Sequence, residues 1–340
     1  MKIIKPDYYD QFTCLAGACP DSCCKDWAVD VDANSAQRYL ALEGELGDAL
    51  RAVLQETDGE YAMEIANGRC PMWRADGLCR IQAQLGHDGL CQVCQTFPRL
   101  RHDYGDFVEL GLELSCPQAA KLIFAAKGAL LAEIAEDTPP VEYDEEVMSI
   151  LLKSRETYLS FLDNTTLSLP EILAILLLYS YDVQNEIDGG EEIPFEADNC
   201  LKRAASFAGQ GDLQAIFCFF QSLEILTPQW ENRLNAPAYN VDWQDLKPLI
   251  RYFVCRYWLQ AVSDFDLVCR AKFIVIACIL INTLGGDPVQ TAQQFSKEIE
   301  NDADNVDAIL DGAYTASAFT DANLLGLLRN SPLTNPDSVL

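Results

Sequence analysis

Histidine is almost missing from this chain: His87 and His102 are the only two in 340 residues. A centre built from several imidazoles is thereby excluded. Basic residues are scarce as well, 24 against 52 acidic, which leaves a formal net charge of −28. Such a surface repels a phosphate backbone unless its negative charge is segregated from a basic patch, so nucleic acid is not an expected partner. Long apolar runs are lacking too. The longest, Phe273–Ile281, falls far short of the ~20 residues that cross a bilayer. The opening MKIIKPDYYDQF meets Pro6 and Asp7 before any signal-like stretch develops. These absences lead to the expectation of a cytoplasmic, globular protein with no membrane contact. A glycine-rich nucleotide-binding turn is also absent, because TLGGDP, residues 283–288, has the wrong spacing and follows a helical segment.

Cysteine, in contrast, is plentiful, with fourteen in the chain. In a reducing compartment thiols stay free, and clustered ones point to metal or catalysis. Nine lie in the first 116 residues, as C-x4-C-x3-C-C (Cys14, Cys19, Cys23, Cys24) and then C-x8-C-x11-C-x2-C followed by Cys116 (Cys70, Cys79, Cys91, Cys94). Thiolates a few residues apart can turn their sulfurs to one point, which is why metal sites favour such short steps. Cys91 and Cys94 form the tightest step. The adjacent Cys23 and Cys24 point different ways in most backbones, so they are expected to serve two sites, or one ligand and one core position. Four thiolates suit zinc and an iron–sulfur cluster alike. Spacing leaves the metal open, and nine thiols allow two four-ligand centres or one centre with spectators. His87 and His102 read as ordinary loop histidines, with metal ligation or proton transfer as the alternative. The other five cysteines (Cys200, Cys218, Cys255, Cys269, Cys278) stand singly in helical sequence and read as small core residues.

The pattern divides the chain into an irregular cysteine-rich lobe, residues 1–120, and an all-helical domain, residues 121–340, giving a mostly-α protein. Within the lobe, residues 34–56 have helical spacing weakened by Gly44 and Gly47, residues 61–65 read as a short strand, and FVELGLEL (107–114) after the HDYGD turn reads as a hairpin strand. From Pro117 a helix is expected to about residue 136, and DTPPVEYDEE (137–146) reads as a linker. Further helices are expected over 145–163, 169–187, 197–207, 212–226, 243–263, 267–284, 288–301 and 305–329.

The series CLAGACPDSCCKDW, GRCPMW, LCRIQAQLGHDGLCQVCQTFPR and ELGLELSCPQAAKLI resembles the flagellin lysine N-methylase family. That family shares its cysteine lobe with a broader group of zinc- or iron-chelating cysteine-cluster proteins. The resemblance covers about the first 125 residues, with a weaker echo in LIRYFVCRYWLQAVSDFDL, residues 249–267. It implies a bacterial cytoplasmic enzyme with an iron–sulfur cluster, of the four-iron type or with zinc in its place, that moves a methyl group from S-adenosylmethionine to lysine amines of flagellin or a similar protein. It makes Cys14, Cys19, Cys23, Cys24, Cys70, Cys79, Cys91, Cys94 and Cys116 the metal-site positions. Radical enzymes that use S-adenosylmethionine usually carry C-x3-C-x2-C. Here Cys19 and Cys23 supply the first step, but the third position is Asp26, so the pattern is not met.

A lysine amine with a reference pKa of ~10.4 is protonated at neutral pH and has no lone pair for a methyl group. The site must remove that proton, by desolvation or by a neighbouring base. Trp27, Trp73, Tyr104, Glu109 and Glu113 are aromatic and acidic candidates for such a pocket, each also explicable as structural. Arg99, Arg251 and Arg256 are candidates to pair with the donor's carboxylate, with an ordinary ion pair as the alternative. The competing readings are a non-catalytic zinc- or iron-binding module for protein interaction, and an electron carrier.

Overall fold

The computed structural model describes residues 2–134, 143–237 and 243–330. Among them the chain forms seven strands and fifteen α-helices, so the protein is mostly α. The strands are β1 (Lys2–Pro6), β2 (Val29–Val31), β3 (Leu54–Thr57), β4 (Glu60–Met63), β5 (Arg99–Asp103), β6 (Phe107–Leu112) and β7 (Leu130–Ile134). Four short helices lie among the early cysteines: α1 (Ala33–Ala41), α2 (Gly44–Val53), α3 (Arg80–Leu85) and α4 (Gln92–Thr96). They are followed by α5 (Pro117–Ala125), α6 (Glu145–Asn164), α7 (Leu169–Ile187), α8 (Ala197–Ser206), α9 (Leu213–Gln221) and α10 (Pro228–Asn235). The last five are α11 (Lys247–Tyr257), α12 (Leu267–Leu284), α13 (Pro288–Phe295), α14 (Ala303–Thr315) and α15 (Asp321–Asn330).

The β5–β6 hairpin forms as the HDYGD turn predicts, pairing Asp103 with Val108 and His102 with Glu109. It is half of a larger sheet that sequence patterning missed. In the order β5-β6-β1-β7, β1 runs parallel to β6 and antiparallel to β7. The helix expected to reach residue 136 therefore stops at Ala125. Gly128 turns the chain at φ +88°, and LLAEI continues as β7. Pairing with β1 overrides the helical propensity of an alanine- and leucine-rich segment. A second sheet, β2-β4-β3, is antiparallel throughout. The expected helix over 34–56 splits into α1 and α2 because Gly44 takes φ +83°, and its end becomes β3. Most of the expected linker, 137–146, lies outside the described residues, and its last two residues open α6.

Two apolar cores follow. A small one joins Val29, Val31, Tyr39, Leu50, Met63 and Ile81 with Cys70 and Cys91. The large one is built around α12, every residue of which is buried. At eighteen residues with mean hydropathy 2.0, α12 is long and apolar enough to cross a membrane, and here it is the central core helix. Among the single cysteines Cys200, Cys269 and Cys278 are buried as expected, Cys255 is half-buried, and Cys218 is exposed. Cys218 falls on the outer side of α9, whose inner side is Ile216, Phe217 and Phe220.

Six helices start at an aspartate whose carboxylate accepts backbone N–H groups of the first turn: Asp32, Asp144, Asp212, Asp266, Asp287 and Asp302. Negative charge at a helix N-terminus satisfies open donors and complements the macrodipole. Part of the acidic excess is thus structural.

A five-residue π-helical turn, Ser296–Glu300, follows α13 and buries three charged side chains. Lys297, 4% exposed, lies 3.1 Å from Asp21 and 2.8 Å from Asp26, and sits 5.1 Å from the centre of the Trp27 ring. Gln293 adds bonds to Asp21 and to the Ser115 carbonyl. This clasp fixes the first cysteine loop to the helical body. Lys297→Met removes the partner of both aspartates and is expected to lower the unfolding free energy by about 3 kcal/mol, the low end for a buried pair, because both carboxylates keep some access to water. Urea denaturation checks this, and an unchanged midpoint would show that the clasp does not stabilise the fold.

Candidate functional site

The nine early thiols form two neighbouring sets. Cys24, Cys70, Cys79, Cys91 and Cys94 lie close enough to perturb one another's ionisation, and all border the small core. Cys14, Cys19, Cys23 and Cys116 form the second set. Local structure explains the first. The Cys70 amide donates to the Cys24 carbonyl at 2.8 Å, Cys79 and Cys91 immediately precede α3 and α4, and Cys94 lies one turn into α4. The adjacent pair is divided between the sets while its thiols remain hydrogen-bonded. That bond lowers Cys24 to about 7 and pushes Cys23 up. The bond between Cys91 and Cys94 likewise brings Cys91 to about 7 and raises Cys94. Burial raises Cys70 to about 11 and also raises Cys79 and Cys116.

Among the described residues, no three His, Cys, Asp or Glu side chains converge at distances that hold a metal ion. The donor chemistry, five thiols in one set and four in the other, nevertheless fits four-thiolate centres of zinc or iron–sulfur type. Neither histidine stands as an obvious further ligand. His87 is 60% exposed beside Asp88, and His102 lies on β5 facing the helical body.

A cavity of about 220 Å³ lies between the larger sheet and helices α6 and α11. Packing voids in native cores seldom exceed one water, so this is more than a packing void. It gathers Arg251 and Arg256, two of the three arginines the sequence singles out, with Arg155, Lys127 and Lys247 against only Glu109 and Asp163. Arg155 makes a buried bidentate pair with Glu109 at 2.8 and 2.5 Å. Arg251 pairs with Asp163 and donates to the Gly128 carbonyl at 3.3 Å. Gly128 holds φ +88°, which disfavours any side chain, and a Cβ there would also press on the Arg251 guanidinium at 2.5 Å from Nε. Arg256 meets Glu300 of the π-turn at 3.1 Å and donates to the Tyr252 hydroxyl at 2.8 Å, while Tyr252 and Tyr257 donate to Glu300. Arg99 is not in the cavity; its guanidinium stacks 5.2 Å over the Phe12 ring.

The aromatic and acidic candidates disperse. Trp27 takes part in the Lys297 clasp, and Trp73 stacks beneath Arg69. Tyr104 is buried against Phe107. Glu109 lines the cavity, paired with Arg155. Glu113 is raised by burial, with Arg256 opposing that rise, and accepts from Ser115. Burial, reinforced by Arg256, lowers His102, whose Nε2 is enclosed without a hydrogen-bond partner. Sequence reasoning missed Arg155, Asp163 and Glu300. Arg155 alone had a signal, as a cation inside the apolar run of α6.

A lysine-N-methylase of Salmonella choleraesuis is 33% identical over 131 residues, 36% of this chain and 32% of that protein. A lysine-N-methylase of Salmonella typhimurium is 32% identical over 131 residues, with the same coverage of 36% and 32%. The flagellar biosynthetic protein FliU of Salmonella muenchen is 33% identical over 132 residues, 36% of this chain and 76% of that protein. The chain spans about a third of the length of the lysine-N-methylases it matches. No family model matches it, and no solved structure matches it. The matched stretch is thus similar to proteins named for lysine methylation and flagellar biosynthesis. The chain belongs to the flagellin lysine N-methylase family.

Asp32 ties the Cys91–Cys94 turn to α1, since one carboxylate oxygen caps Ser35 at 3.0 Å and the other accepts the Gln92 N–H at 2.9 Å. These bonds hold its carboxyl at about 2, below the usual 3.8. A depressed carboxylate contributes stability above its unfolded value and loses it as pH falls. Stability is expected to decline between pH 3.8 and about 2 more steeply in the natural chain than in Asp32→Asn, measured by urea titration at several pH values.

Proposed function

We propose that the chain is a protein-lysine N-methyltransferase that uses S-adenosylmethionine and acts on flagellin or a similar lysine-bearing protein, with an iron–sulfur or zinc centre in its thiol sets. The observation that carries this reading is the cationic cavity, where Arg251 and Arg256 converge with Arg155 in a chain of this family. A surplus of positive charge on partly apolar walls suits a small molecule with a carboxylate head. Arg251 is the best placed to bind it, because its partner Asp163 is exposed, whereas Arg155 and Arg256 pair with buried carboxylates. The residues around it orient and shield: Gly128 and Asp163 hold the Arg251 guanidinium, and Glu300 with two tyrosines holds Arg256. Alignment of amine, methyl carbon and departing sulfur is then the main catalytic contribution.

A four-thiolate centre, when bound, supplies cross-links between the loop at 14–24 and residues 70–116, and hence folding energy. Cys24, Cys70, Cys79, Cys91 and Cys94 are the buried candidates to hold it, and Cys14, Cys19, Cys23 and Cys116 the outer ones. A second reading, a non-catalytic metal module for protein interaction, draws support from the match to only a third of the lysine-N-methylases' length.

Anaerobic purification with iron, sulfide and zinc analysis checks the metal, and a metal-free chain would remove that part of the reading. Incubation with methyl-labelled S-adenosylmethionine and flagellin is expected to move label into protein, and label left wholly in the donor would leave the module reading. Arg251→Met is expected to weaken donor binding about 10- to 100-fold, the loss of one charge-assisted contact. Arg99→Met, outside the cavity, is expected to leave it unchanged. Calorimetric titration with S-adenosylmethionine measures both.

A further inference from the structure

A second hollow, about 730 Å³, opens at the outer edge of β5. Asp103 and Tyr104 wall one side, Tyr143 and Asp144 ahead of α6 another, and Phe265 between α11 and α12 the third. His102 is the one residue that lines both this cleft and the arginine cavity. The charges separate across it. The cavity side carries an excess of cations, whereas the cleft carries Asp103 and Asp144 against one arginine, with Arg101 paired to Asp103 at 2.7 Å and Asp144 also capping α6.

Phe265 marks the cleft as a surface for another molecule. Its side chain is 46% exposed, and its backbone holds φ +60°, a region that bulky residues avoid. Neither burial nor backbone preference accounts for an aromatic ring there. Beside Tyr143 it provides a face for an alkyl stem or an ammonium head. Counted over their lining residues, the cavity is net positive and the cleft net negative by one charge, so an ammonium ion is favoured on the cleft side and a carboxylate on the other.

We propose that the cleft binds the lysine-bearing segment of the protein substrate, and that His102, at the boundary between the two hollows, accepts the ε-ammonium proton. The inference rests on the methyltransferase reading for its second half only. The ammonium gives its proton to the imidazole, the freed amine forms the N–C bond with the methyl of the sulfonium donor, and the C–S bonding pair stays on sulfur as a neutral thioether. The enclosed Nε2 of His102 has no hydrogen-bond partner in the protein; burial and Arg256 favour the neutral ring, while Glu109, its cross-strand neighbour, opposes them.

Calorimetry on the full chain with the peptide acetyl-GAKAAG-amide and its norleucine counterpart tests the cleft. The lysine peptide is expected to bind at least about tenfold tighter, and Phe265→Gly, which relaxes the left-handed backbone and so preserves the fold, is expected to weaken it about tenfold. Equal affinity for the two peptides, or unchanged binding by Phe265→Gly, overturns the proposal. For His102, methyl transfer in the natural chain is expected to rise with pH through an inflection below 6.5 that His102→Gln lacks. An inflection retained in the variant overturns the proton-acceptor role. Binding that depends on lysine and on Phe265 supports the cleft even if no label moves, an outcome that overturns the methyltransferase reading and the role of His102 together.

Discussion

Three charges buried within five residues hold this molecule together. The π-turn after α13 sends Lys297 to Asp21 and Asp26 of the first cysteine loop, Glu298 to the start of α10, and Glu300 to Arg256 in the cavity wall. Within the π-turn these side chains leave one short stretch toward three different elements, and such turns are common where function is built. Each charge has a partner, so the cost of desolvation is offset locally. The thiol loop and the arginine cavity are thereby set relative to each other by a single segment of backbone.

Around that hub the architecture is a helical body with a mixed sheet laid on one side. The sheet draws strands from residues 2–6, 99–112 and 130–134, so it ties the start of the chain to sequence on both sides of the cysteine clusters. The cavity forms where its inner face meets α6 and α11, which explains why cations from distant parts of the chain, Lys127, Arg155 and Arg251, share one space. Part of the negative charge has local work as helix caps. The acidic excess therefore does not by itself describe a recognition surface, and the contrast between cavity and cleft is a matter of placement.

Helices α6, α7, α8 and α12 were legible from their sequence pattern; the structure adds caps such as Ser168, whose hydroxyl and amide engage Glu171 in a capping box. The hairpin was legible from its turn. β1 and β7 were not, because parallel pairing between residues a hundred positions apart leaves no local signature, and LLAEI has the composition of a helix. Of the candidate site, the thiols and two arginines could be read because their residue types are unusual in their surroundings. Their partners could not. Glu300 and Lys297 sit in FSKEIE, which has the polarity of an exposed helix end, and only the π-turn takes them inside.

Asp26 occupies the place where a third cysteine would complete the spacing C-x3-C-x2-C. It has φ +73°, a conformation that aspartate tolerates better than cysteine, and its carboxylate neutralises a buried lysine. A cysteine in its place would strain the loop and leave Lys297 with Asp21 as its only carboxylate partner, so the missing thiol comes at the expense of the clasp that docks this loop.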